Sequence, residues 1–382
     1  MTRDRLTWLI YAQMAVYGYF VYGFGPSVPL LRDDQGVSRA VSGLHGTALA
    51  VGAVIAGLTS AGLVARFGRG PVLRVGLGGL AAGVVVYTAT SMLALTLLGA
   101  LIAGSAGSVI LNLHSSVLSD RHGWAGPAAI SEANALAAGI GLLAPLILGV
   151  TAGSAFGWRA GMLVTVALTA AVLLFSATVA VPPGAAVAVR TGAATALSRR
   201  FWTAWTVLVL CIAIEFALTI WASDLLRERV GLAEGAAAAS VTALIVGMAI
   251  GRFAGARLAL RQSPDWLLTR TLLVTAAGFG LFWSSTTWWL SLTGLIVLGL
   301  GVALQFPLGI ARVILASGGR PDLATARASL GAGLAIGLSP FLLGFLADEF
   351  GTHRAFLLVP ALLVLAAIGL ARGRVRSPAG AG

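Results

Sequence analysis

Long apolar runs separated by short polar intervals organise this chain. A helix needs about 20 apolar residues to cross a bilayer. Twelve such runs can be drawn, at roughly 8–30, 40–64, 72–90, 93–117, 128–151, 160–181, 202–224, 236–257, 266–284, 288–314, 323–346 and 354–371. The pattern predicts an all-α integral membrane protein with twelve transmembrane helices.

A repeat divides these runs into two sets of six. AGIGLLAPLILGV (138–150) is echoed by AIGLSPFLLGFLA (335–347). Pro145 falls on Pro340 and Gly149 on Gly344, each 195 residues apart, and Arg159 falls on Arg354 in the same register. Internal repeats in apolar chains are a mark of transporters built from related bundles. The expected organisation is a six-helix bundle at 1–181, a cytoplasmic linker at 182–200 and a second six-helix bundle at 201–382. The linker, PPGAAVAVRTGAATALSRR, is basic and too short for a soluble domain.

Composition agrees with a membrane protein. The chain is 58% hydrophobic and only 10% charged, against about 25% charged in a soluble domain. All 25 basic residues are arginine, which suits a high-GC genome. The net charge of +12 could point to nucleic acid, but topology accounts for it better. With an even number of spans, 19 of the 25 arginines fall on one side, and cytoplasmic loops carry such an excess. Both termini are therefore expected in the cytoplasm, in a bacterial inner membrane, and no nucleic-acid partner is expected. The first 30 residues do not read as a cleaved signal. One cysteine, Cys211, and four scattered histidines suggest no metal site, and no Gly-x-x-x-x-Gly-Lys loop suggests ATP drive. No cofactor and no enzyme activity are expected.

AGLVARFGRGP (61–71) resembles the major facilitator superfamily signature between helices 2 and 3, through Arg66, Gly68 and Arg69. Ala65 stands where that family has Asp. GRFAGARLALR (251–261), with Arg252 and Arg257, is a second echo. The stretch around Pro145 resembles the family's Gly/Pro-rich helix-5 motif, with Ala144 in place of Gly. The family's helix-4 arginine has no counterpart here. The resemblance implies two bundles alternating access to a central cavity lined by helices 1, 4, 7 and 10, with a monomer as the expected state. Gating is then expected from Arg66, Arg69, Arg252, Arg257, Pro145 and Pro340.

Polar residues inside membrane spans are costly and face a bundle interior or water. They concentrate in runs 1, 4, 5, 7 and 10. Glu215, in the middle of run 7, is the leading candidate for a proton carrier or cation anchor; the structural alternative is a bond to another helix. His114 is a second candidate proton site, or an interfacial residue. Gln13, Tyr17, Phe20 and Phe24 share one helix face and could hold an organic ligand, or simply pack. Asn112 and Gln305 are candidate cavity hydrogen bonders, and Pro307 beside Gln305 would bend run 10. Trp221 and Asp224 are read as an outer vestibule or gate. Glu132, near the cytoplasmic end of run 5, is expected to pair with Arg252 or Arg257 when the inner side is closed.

These residues point to a secondary transporter, read first as a proton-coupled exporter of an apolar, neutral or cationic organic compound. Sugar sites usually need several amides and organic-anion sites a buried Arg or Lys; Arg312 leaves the anion case open. The alternatives are a proton symporter or facilitator importing a small metabolite, and a non-transporting receptor on the same scaffold. The expected partners are a small-molecule substrate, protons and the lipid bilayer.

Overall fold

The computed structural model describes residues 3–122, 126–182, 197–259, 262–318 and 321–373. Most of the expected linker, 183–196, lies outside the described residues. Among the described residues, every regular element is helical: α1 Arg5–Gln35, α2 Arg39–Phe67, α3 Arg69–Thr88, α4 Leu93–His122, α5 Gly126–Gly141, α6 Leu143–Ala152, α7 Gly157–Ser176, α8 Arg199–Val230, α9 Glu234–Ser240, α10 Thr242–Ala259, α11 Pro264–Ser284, α12 Trp288–Val302, α13 Gln305–Leu315, α14 Pro321–Phe350, α15 Thr352–Ala355 and α16 Leu358–Arg372. These helices fall into the twelve expected runs. Runs 5, 8, 10 and 12 are each made of two helices.

Eleven of the runs are long and apolar enough to cross a membrane. The exception is α1, where four tyrosines, Gln13 and several glycines lower the mean hydropathy over its 31 residues. Burial still makes it a core helix, with Leu9, Ile10, Val28 and Leu31 fully enclosed.

The chain separates into two compact units, residues 1–192 with Glu234–Ala239, and residues 193–233 with 240–382. In the first, α3 and α2 pack on α4, and α1 packs on α5. In the second, α11 and α10 pack on α12, and α8 packs on α14. These are the same pairings displaced by one half of the chain.

Glycine carries that correspondence into the backbone. A Cβ on Gly83 of α3 would run into the backbone of Ala103 on α4, and one on Gly278 of α11 into the backbone of Leu298 on α12. Both the glycines and their neighbours are 195 residues apart. Gly52 and Gly247, Gly99 and Gly294, and Gly104 and Gly299 keep the same register, and each lies against a facing helix backbone. Lipid-embedded helices gain little from apolar burial against one another, so close backbone approach at small residues holds them together. That requirement preserves the register while the larger side chains drift.

The two proline stretches behave differently. Pro145 has no N–H for the Gly141 carbonyl, and the run is interrupted at Leu142, between α5 and α6. Pro340 lies inside α14, which continues through it for 30 residues.

Candidate functional site

Glu215 lies in the middle of α8 and is half-buried. Its side chain has no hydrogen-bond partner among the described residues. Arg252 of α10 is the basic group that acts on it electrostatically. Cys211, one turn earlier, is fully buried. A carboxylate at this depth without a hydrogen-bonded partner is expensive, and packing alone gives no reason for it. Arg252 Nε also points at the Ala303 carbonyl, 3.5 Å away. Pro307 cannot donate to that carbonyl, so Arg252 serves the break between α12 and α13.

Other candidates of the second unit are committed to internal bonds. Gln305 Nε2 donates to Thr275 Oγ1 of α11 at 2.7 Å, so the amide braces α13 against α11. Arg312 is fully buried; its Nε donates to Asp265 Oδ1 at 2.5 Å and its Nη2 to the Gly373 carbonyl at 2.9 Å. That arrangement ties the ends of three helices together. Trp221, expected at an outer vestibule, is fully buried, and its Nε1 donates to the Pro340 carbonyl of α14 at 2.9 Å. Asp224 is likewise buried, with Arg227 Nη1 3.8 Å away. In all four, at least one polar atom finds a partner within its own unit, while Gln305 Oε1 and Arg312 Nη1 are buried with none among the described residues. The Arg257 side chain lies outside the described residues.

In the first unit, the aromatic face of α1 is a packing face. Phe20 meets Phe24, Phe24 meets Tyr87 of α3, and Tyr87 meets both Trp158 of α7 and His45 of α2, with ring centroids 5.5–6.0 Å apart. Tyr87 Oη is 2.9 Å from Ser27 Oγ, and His45 Nε2 is 2.9 Å from Thr96 Oγ1. This cluster was not singled out from sequence; the one tyrosine outside α1, Tyr87, was the available hint. Tyr17 is half-buried with its ring close to Gly107 of α4. Gln13 is buried and lines a crevice between α1, α3 and the end of α7. Asn112 is exposed on α4. His114 is buried, with Nδ1 2.5 Å from the Leu111 carbonyl, which holds the ring locally.

Glu132 is held by Arg3 and Tyr11 in place of the expected Arg252 or Arg257. Arg3 Nε and Nη2 donate to its two oxygens at 2.9 and 2.8 Å, and Tyr11 Oη donates at 2.8 Å. The residues before α1 extend this latch. Asp4 accepts from Thr7 N at 2.9 Å and from Arg121 Nε at 2.8 Å. Partial burial pushes the Asp4 carboxyl up, but Thr7 and Arg121 outweigh it and hold Asp4 below its usual range. Arg69 donates to Asp120 Oδ2 at 2.7 Å, which ties the start of α3 to the end of α4. Arg66 lies over the Phe67 ring. The partners Asp120 and Asp265 were missed, although each is an acidic residue at the arginine-rich end.

The sequence profile of the Major Facilitator Superfamily matches residues 10–270 and 205–381, together nearly the whole chain. The chain belongs to the Major Facilitator Superfamily. It is a multi-pass transporter and not an enzyme. No curated protein matches it in sequence. Among solved structures, a mutant form of the nucleoside transporter NupG is similar with a TM-score of 0.79 at 14% identity, over 97% of this chain and 99% of that one. The inward-open xylose transporter XylE from E. coli is similar at 0.78 and 13% identity, over 98% and 97%. The human organic anion transporter MFSD10 is similar at 0.68 and 18% identity, over 96% and 99%. These likenesses establish the superfamily fold.

Proposed function

We propose that the protein is a proton-coupled secondary transporter in which Glu215 carries the coupling proton, and that it exports a small apolar, neutral or cationic organic compound by antiport. The observation that carries this reading is the half-buried carboxylate of Glu215, in mid-helix and without a hydrogen-bond partner among the described residues. A group so placed can exchange a proton for a substrate, because either occupant relieves the cost of the bare charge. The charge of Arg312 is already balanced by Asp265, although its Nη1 has no partner among the described residues, which argues against an anionic substrate; Gln305 gives its amide N–H to Thr275, which leaves few amides for a sugar. Asn112 and Tyr17 are the remaining candidates for polar contact with the substrate. Glu132, Arg66, Arg69, Arg252 and Arg257 keep a proposed part in gating, in a bacterial inner membrane with both termini cytoplasmic.

Import by proton symport is the second reading. A D-xylose–proton symporter is similar in fold, with a TM-score of 0.76 at 14% identity over 96% of each chain.

Proteoliposomes with an imposed pH gradient test the coupling. Glu215→Gln should keep substrate exchange at equilibrium while losing accumulation driven by the gradient, because the amide carries no titratable proton. Undiminished gradient-driven accumulation in that variant sinks the assignment. The direction of substrate movement relative to protons separates antiport from symport.

A further inference from the structure

We propose that the crevice holding Gln13 is a binding site for a phosphodiester headgroup, separate from the transport pathway and independent of the role given to Glu215. The crevice has a volume of about 490 Å³. Its walls come from three places in the first unit: Leu9 and Gln13 of α1; Gly70, Pro71, Leu73 and Arg74 at the start of α3; and Ser176–Val181 at the end of α7.

Three chemical features converge there. Gln13 is 1% exposed, and its Oε1 has no hydrogen-bond partner among the described residues. An unpaired buried acceptor at the wall of the crevice gains from any donor brought within its reach. Arg74 lies at the rim, exposed, and makes no ion pair among the described residues; its guanidinium suits the planar bidentate recognition of a phosphate. Between them is the start of α3. Its N-cap, Gly68, offers no side chain to the first turn, so the positive end of the helix dipole there is left without a side-chain cap and favours an anion.

One ligand class meets all three demands. Its phosphate sits between Arg74 and the first turn of α3, and a hydroxyl or ammonium on the far side of the phosphate donates to Gln13 Oε1. The remaining walls, Leu9, Leu73, Val179 and Val181, are apolar and accept the glyceryl part of an amphiphile. Val75, next to Arg74, is 74% exposed and Phe67 54% exposed, which gives acyl chains an apolar surface beside the mouth. Glycerol phosphodiesters have this chemistry, either as the headgroup of a membrane lipid or as the free soluble ester.

Native mass spectrometry of the full chain tests the site, with phosphatidylglycerol, phosphatidylcholine and soluble glycerophosphoglycerol as probes. Wild type should retain one phosphatidylglycerol and prefer it to phosphatidylcholine, whose quaternary ammonium cannot donate to Gln13. Arg74→Gln, an exposed substitution, should weaken binding roughly tenfold, the scale of one charge-assisted hydrogen bond, and Gln13→Leu roughly threefold to tenfold, the scale of a neutral one. Binding of the lipid alone assigns the site to the membrane. Binding of glycerophosphoglycerol with equal dependence on Arg74 keeps the phosphodiester site and gives the soluble ester as its source. Equal retention of phosphatidylglycerol by wild type and both variants, or no retention by wild type, overturns the proposal.

Discussion

The stretches around Pro145 and Pro340 are copies of one pattern and reach opposite outcomes. The first is interrupted at Leu142, with α5 ending at Gly141 and α6 beginning at Leu143. The second is one uninterrupted helix. Their neighbours explain the difference. Gly139 and Gly141 leave the first stretch with little side-chain bulk before its proline, and Gly141 is pressed against Tyr22 and the Gly18 carbonyl of α1. The second is pinned across its proline by side chains: Ser339 Oγ donates to the Ala213 carbonyl at 2.6 Å, and Trp221 Nε1 to the Pro340 carbonyl at 2.9 Å. A shared register thus hides two local packing solutions, close glycine contact around the first proline and side-chain tethers around the second.

Three substitutions probe that contrast. Gly149→Leu should have the largest effect, because a Cβ there would meet the Gly235 carbonyl and come 2.7 Å from the Ala239 Cβ. Overpacking against backbone costs about 3 kcal/mol, read as a large fall in melting temperature of the purified protein. A melting temperature at the wild-type value would show that this glycine contact does not hold the first unit. Trp221→Phe should cost about 1 kcal/mol through loss of one interhelical bond, with the protein still folded. If its loss exceeds that of Gly149→Leu, the division into backbone and tether packing is reversed. Pro145→Ala should have the smallest effect, within a few tenths of a kcal/mol. It restores the N–H that the Gly141 carbonyl lacks. Amide hydrogen exchange around Leu142 should slow markedly, and unchanged exchange would mean that Gly139 and Gly141, and not Pro145, open the helix.

The parts of this architecture legible in sequence are those that depend on one-dimensional spacing. Run lengths follow from hydrocarbon thickness, and the register of 195 from backbone contacts that tolerate only glycine. The glycine pairs from Gly52/Gly247 to Gly104/Gly299 would have strengthened the repeat well beyond its two prolines. What was not legible is which partner each polar side chain meets. Gln305, Arg312 and Trp221 read as pathway residues because an intramembrane polar group usually faces water or a ligand. Each instead meets a group from another helix: Thr275, Asp265 or the Pro340 carbonyl. Helical periodicity placed Gln13 and Phe20 on one face correctly. It could not say that Phe24 meets Tyr87 of α3 while Tyr17 lies against Gly107 of α4. Glu215 kept its standing because no hydrogen-bond donor among the described residues reaches it.

The continuity of α14 has a mechanical consequence. Its 30 residues, at 1.5 Å per residue, make a strut about 45 Å long, held on both sides of Pro340 by Ser339 and Trp221. The interrupted run of α5 and α6 is instead two short rods with a joint at Leu142, where a rotation at Glu132 can be absorbed before it reaches Gly149. One half of the repeat is therefore built as a lever and the other as a coupling with play in it.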